Sequence, residues 1–132
     1  MKQTVNNDEY SSFLERFYGF NDTVIRSIRL AFNDNGTQRL ELRISAQDST
    51  IKDADKWVCV TVIVEGISEI LIHEQVQTTI QVISHGLHIL TLDDMFGLEF
   101  GGATDAPNSL LNIRESDAFV VGKKLLFNVS SY

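Results

Sequence analysis

Two runs of alternating apolar and polar positions, 24–32 and 38–46, stand out in the chain. In the first, Val24, Ile28, Leu30 and Phe32 occupy even positions, and Ser27, Arg29 and Ala31 occupy odd ones. In the second, Leu40, Leu42, Ile44 and Ala46 alternate with Arg39, Glu41, Arg43 and Ser45. Period-two alternation predicts strands with one buried face. Asp34-Asn35-Gly36 lies between them. A two-residue turn would set Phe32 opposite Arg39, apolar against charge. A three-residue loop with Gly36 left-handed sets Leu30 opposite Leu40, Ile28 opposite Leu42 and Arg29 opposite Glu41. A one-residue slip would reverse every side chain, so parity selects the three-residue loop.

Residues 8–18 have a different period. Tyr10, Phe13, Leu14, Phe17 and Tyr18 form one helical stripe, with Asn6 or Asn7 as cap and Gly19 as stop. Residues 47–56 are polar and read as a loop. In 57–64, Val58, Val60, Val62 and Val64 share one face and Trp57, Cys59 and Ile63 the other, so both faces need cover. Strands are expected at 67–73, 78–84, 87–92, 96–100 and, as one run, 119–129, where Phe119, Val121, Leu125, Phe127 and Val129 are in phase. The 101–109 segment holds the only proline and reads as a loop; 110–113 fits either helix or strand. The expectation is a single α+β domain over 1–132, with one N-terminal helix packed on a mostly antiparallel, curved β-sheet of six to eight strands. The second face of 57–64 would be closed by the sheet curling over, by the 101–118 segment, or by another copy in a homodimer.

Charge changes the functional picture. The net charge is −7, and between Glu65 and Asp117 there are nine acids and one base, Arg114. Such a surface repels nucleic acid and attracts a basic protein partner. The candidate contact residues are Glu65, Glu69, Glu74, Asp93, Asp94, Glu99 and Asp105. The first residues show no apolar run of a secretory signal, no stretch is long enough to span a membrane, and Cys59 is the only cysteine. A cytoplasmic protein without an internal disulfide is expected, with Cys59 buried as a small hydrophobe.

Candidate chemistry is thin. His85 and His88 form an H-x-x-H pair, but on a strand they point to opposite faces, so no metal is expected. Asp93-Asp94 closes a strand as turn acids do. Ser84-His85 and Ser116-Asp117 supply triad residue types, yet no nucleophile elbow, phosphate loop or dinucleotide fingerprint is present. No cofactor is expected, and a non-enzymatic binding domain is favoured. The alternatives are a small-molecule domain or enzyme using 101–109 as a lid, and a structural subunit.

The segment 17–28 resembles the helix-to-strand junction of small bacterial proteins with an F-H-D motif, some grouped with immunity proteins of polymorphic toxin systems. Phe20, Asn21 and Asp22 occupy the three motif positions, with Asn21 in place of histidine. The closing strand, 120–129, is similar to theirs as well. The resemblance implies a compact α+β domain and toxin neutralisation. On physical grounds these three residues are structural: Phe20 packs under the helix end, and Asn21 and Asp22 bond to local backbone.

Overall fold

The structure is a computed structural model that describes residues 2–52, 56–73, 81–103 and 105–131. Short β1 (Gln3–Val5) leads into α1 (Tyr10–Arg16), followed by β2 (Thr23–Phe32), β3 (Gln38–Gln47) and β4 (Trp57–Glu65). Then come β5 (Glu69–Ile72), β6 (Val82–Ile83), β7 (His88–Leu92), β8 (Met95–Glu99), α2 (Leu110–Ile113), β9 (Ala118–Gly122) and β10 (Lys124–Ser131). They build two sheets, a six-stranded one in the order β1-β10-β4-β3-β2-β6 and a four-stranded one in the order β5-β9-β8-β7. Every pairing among the described residues is antiparallel. The architecture is α+β, as the pattern predicted, with a second sheet where one curved sheet was expected.

The β2–β3 hairpin has the register that parity selects. Leu30 pairs with Leu40, Ile28 with Leu42 and Arg29 with Glu41. Asn33 N–H donates to Thr37 O at 2.8 Å and Gly36, at φ +83°, donates to Asn33 O at 2.9 Å. A Cβ on Gly36 would have nothing within 4 Å, so its cost is conformational alone. Gly36→Ala is expected to destabilise by about 1 kcal/mol in urea unfolding.

Three departures from the sequence pattern are instructive. A bulge between Ile25 and Ser27 shifts the register, so Ile25 faces the core and Val24 the outer side opposite Ser45. Leu30 and Phe32 share the parity of the core positions, Leu30 opposite buried Leu40, but stay 41 % and 69 % exposed. The 119–129 run is two strands in different sheets. Lys123 N–H bonds to Glu65 O at 3.0 Å and Ser68 N–H to Val121 O at 2.9 Å, where β4 to β5 and β9 to β10 bend together. Phases change at the bend: Phe119 and Val121 pack beneath Ile113, while Leu125 and Phe127 enter the main core.

That core lies between the six-stranded sheet and a layer made of α1 and the small sheet. Leu40, Leu42, Ile44, Ala46 and the four valines of β4 supply its floor. Phe13, Phe17, Phe20 and Phe127 form a ring cluster, with Phe13 and Phe127 centroids 4.9 Å apart, and Tyr10 reaches Phe96 of the small sheet at 5.8 Å. The expected helical stripe holds up to Phe17. Tyr18 is 56 % exposed, because the helix ends and Tyr18, Gly19 and Phe20 make a left-handed turn with φ of 55°, 68° and 59°. That turn sends Phe20 inward.

On the outer face of the large sheet, Cys59 lies between Ser45 and Ser130, and Ile63 between Glu41 and Leu126. Both are buried within one copy. Burial of Cys59 and Ile63 therefore requires no second subunit, whereas Trp57, at the start of the same strand, stays 38 % exposed. The expected strand at 78–84 is described only as Val82–Ile83, since 74–80 lie outside the described residues. Among the described residues no helix is long and apolar enough to cross a membrane.

Candidate functional site

The outer face of the small sheet gathers most of the chemistry-bearing side chains. β7 and β8 join at Asp93-Asp94, which pairs Leu92 with Met95 and, counting outward, His88 with Glu99. Glu99 falls opposite in phase to Phe96 and Leu98, away from the main core, yet it is only 1 % exposed. Its Oε1 lies 2.9 Å from His88 Nδ1. Its Oε2 accepts from Gly101 N–H at 2.6 Å and from Ser116 Oγ at 2.6 Å. Ser116 Oγ also accepts from Ala118 N–H at 3.2 Å.

Serine, glutamate and histidine thus meet, in an order unlike that of a nucleophilic triad. There, histidine stands between serine and acid as the base. Here the carboxylate stands in the middle, and the serine hydroxyl donates its hydrogen bond to the carboxylate rather than to an imidazole. The arrangement pins the start of the 101–109 loop and the 116–118 segment onto the sheet. Glu99 is therefore a structural staple and not part of a docking surface. The period of β8 and the hairpin count carried the signal for its partner; its burial under the loop had none.

α2 covers the rest of this face. Ser109 Oγ accepts from Asn112 N–H at 3.1 Å to cap it, and fully buried Ile113 anchors it over Phe119 and Val121. Acids lie on both sides. Glu69, Asp93 and Asp94 line a hollow of 490 Å³ together with Leu110 and Arg114. Asp105, Glu115 and Asp117 line one of 260 Å³ beside Glu99 and Ser116. The second is bordered by described residues of the 101–109 loop, Gly101 to Ala103, Asp105 and Pro107, and it is smaller than the roughly 300–1,000 Å³ of a drug-sized ligand site. Arg114 is matched to Glu69 by two hydrogen bonds, at 2.8 and 3.0 Å. Those bonds, together with the guanidinium charge, hold the Glu69 carboxyl below its usual range. Leu111, between the two hollows on α2, is 71 % exposed.

The sequence-derived contact residues divide accordingly. Glu69, Asp93, Asp94 and Asp105 share this end of the molecule. Glu65 belongs to the other sheet, in register with Arg39 and Lys124. Glu74 lies outside the described residues. Among the turn residues, Phe20 is buried, Asn21 Nδ2 donates to Tyr18 O at 3.0 Å, and Asp22 acts through its backbone N–H, 2.8 Å from Ile83 O. His85 is exposed. Among the described residues no group of three or more His, Cys, Asp or Glu side chains is arranged to hold a metal.

A larger hollow, 830 Å³, opens on the outer face of the six-stranded sheet beside Trp57. It draws on side chains distant in sequence, and hydropathy gave no sign of it. No protein-family model matches the chain, nor does any curated protein or solved structure.

Proposed function

We propose that this chain is a non-enzymatic protein-binding domain that presents the acidic surface around α2 to a basic partner. The observation that supports this is the segregation of charge. Asp93, Asp94, Asp105, Glu115 and Asp117 surround a helix whose Leu111 projects into solvent, and Arg114, the single base of that region, is occupied by Glu69. An exposed leucine within a ring of carboxylates matches the apolar-centre, polar-rim layout of binding patches. The field of the ring would steer a basic surface toward it.

An immunity-type inhibitor of a basic toxin is the specific form we favour, in line with the resemblance of 17–28 and 120–129 to F-H-D-motif proteins. A cationic catalytic cleft is what an acidic domain of this size could occlude. The test is binding, by calorimetry and stopped flow, to the product of the adjacent upstream gene. The expected result is an association rate that falls steeply with salt, and a loss of affinity of roughly tenfold or more in a combined Asp93→Asn, Asp94→Asn, Asp105→Asn, Glu115→Gln variant. Affinity unchanged in that variant would sink the reading.

A further inference from the structure

Asn35-Gly36 is the chain's only asparagine–glycine pair, and it sits exposed in the β2–β3 loop. Such a pair can react with itself, because attack of the glycine nitrogen on the asparagine side-chain carbonyl carbon closes a succinimide ring. Glycine brings no Cβ to obstruct that approach, and nothing lies within 4 Å of where one would stand on Gly36. Ring closure moves negative charge onto Asn35 Oδ1. Two donors already serve that atom, Thr37 N–H at 3.1 Å and Thr37 Oγ1 at 2.7 Å. The hydroxyl's direction is fixed: Oγ1 accepts from Asn33 Nδ2 at 2.8 Å and turns its own proton to Oδ1. Donors set in advance where charge develops lower a barrier without reorganising. They also hold the Asn35 side chain in one place, which removes part of the entropy of reaching the reactive geometry. Gly36 N–H donates to Asn33 O at 2.9 Å, and this bond must open before the nitrogen reacts. Local opening of an exposed turn costs little.

We propose that Asn35 is a self-modification site: the turn promotes its own deamidation, with the two Thr37 donors as the oxyanion hole. Hydroxide from solvent takes the Gly36 N–H proton, the nitrogen bonds to Asn35 Cγ, and the carbonyl electron pair moves onto Oδ1. When that pair returns, the Cγ–Nδ2 bond breaks and Nδ2 leaves as ammonia with a proton from water. Water then opens the imide at either carbonyl, leaving aspartate or isoaspartate at position 35. In total one water is consumed and one ammonia released, and nothing is oxidised or reduced. Either product adds a negative charge. Isoaspartate also adds a methylene to the main chain of the loop that sets the hairpin register. The proposal involves none of the α2 residues and stands or falls apart from the protein-binding reading.

The test ages the full chain in warm, mildly alkaline buffer and maps its tryptic peptides by mass spectrometry, with enzymatic methylation to detect isoaspartate. Asn33 shares the 30–39 peptide and is the internal control. The expected result is conversion at Asn35 ahead of Asn33. Thr37→Val keeps the backbone donor and loses the hydroxyl. It should slow conversion at least about threefold, less than the roughly 100-fold of a water-excluded oxyanion donor because this one is exposed. Thr37→Ser restores the hydroxyl and should convert as wild type does. Circular dichroism and melting check that each variant is folded. In guanidinium chloride the three chains should convert alike, which ties the difference to the folded turn. The proposal is overturned if the native chain keeps Asn35 intact while the unfolded chain converts it, or if Thr37→Val converts as fast as wild type. It is overturned equally if Thr37→Ser is as slow as Thr37→Val, or if the variants differ as much unfolded as folded.

Discussion

Asp48→Ala should cost roughly 2–4 kcal/mol of stability, read from urea unfolding at neutral pH. Asp48 follows β3, and its side chain is 2 % exposed. Arg16, in the last turn of α1, meets it with two hydrogen bonds, Nε to Oδ1 at 3.1 Å and Nη2 to Oδ2 at 2.9 Å. The same Oδ1 accepts from Thr50 N–H at 3.0 Å and Thr50 Oγ1 at 2.7 Å. The guanidinium lies over two aromatic rings, 4.9 Å from the Phe17 centroid and 5.5 Å from that of Phe127. Alanine would leave a cation above the ring cluster without its anion and two Thr50 donors without an acceptor. Removing one partner of a buried pair costs more than the pair contributes net, because the survivor keeps its desolvation penalty. Arg16 is partly exposed, which holds the figure toward the lower end.

The same site sets an acid limb. Burial alone would raise the Asp48 carboxyl, but the hydrogen bonds from Arg16 and Thr50 and the charge of Arg16 outweigh it and hold the carboxyl below its usual range. A depressed folded pKa contributes stability that is fully present above the unfolded value, about 4, and is lost as pH falls through the folded value. The gap between wild type and Asp48→Ala should thus be full at neutral pH and shrink below about pH 4. A gap that stays constant into strong acid would mean that the carboxylate's charge is not what the substitution removes.

The elements differ in how much of them could be read from the residues. The β2–β3 register was legible because two alternating runs and one glycine over-determine it. The apolar stripe of α1 was legible up to Phe17 for the same reason: Tyr10, Phe13, Leu14 and Phe17 agree on one period, and only Tyr18 falls outside it. The bulge at Arg26 was hidden because Val24 and Ile25 are both apolar, so either parity satisfies the hydropathy. The split of 119–129 was hidden because the odd positions on either side of Lys123 are apolar while the face they occupy changes. Only Val120-Val121 and Gly122-Lys123 mark the change of sheet, and they do so weakly. The grouping of acids around α2 depends on contacts between segments far apart in the chain, which one-dimensional spacing does not encode. Glu99 illustrates the limit. Its composition class is that of a surface acid, and only a loop folded back over the sheet makes it a buried acceptor.

Gly86→Ala is expected to be costlier than a turn glycine ordinarily is, by roughly 2–5 kcal/mol in total. Gly86 has φ +81°, where a Cβ costs about 1–2 kcal/mol for conformation. That Cβ would also sit 2.3 Å from Gly19 O and 3.3 Å from Asn21 Oδ1. The Gly19 carbonyl has little freedom to retreat. It accepts from Leu87 N–H at 3.0 Å, and Phe20 beside it is wedged among Phe13 and Phe17 with Thr23 Oγ1 donating to its carbonyl at 2.7 Å. Relief must come from the 85–87 segment lifting off the left-handed turn, which would loosen buried Leu87 and Ile83 with it. Gly36→Ala is the matched control, with the same sign of φ and no neighbour to strike. Comparable losses in the two variants would show that 85–87 does not press on the turn. A loss at Gly86 larger by a few kcal/mol, with a melting temperature lower by roughly 10 °C, would show that the Phe20-Asn21-Asp22 junction is held in place from above as well as by its own hydrogen bonds.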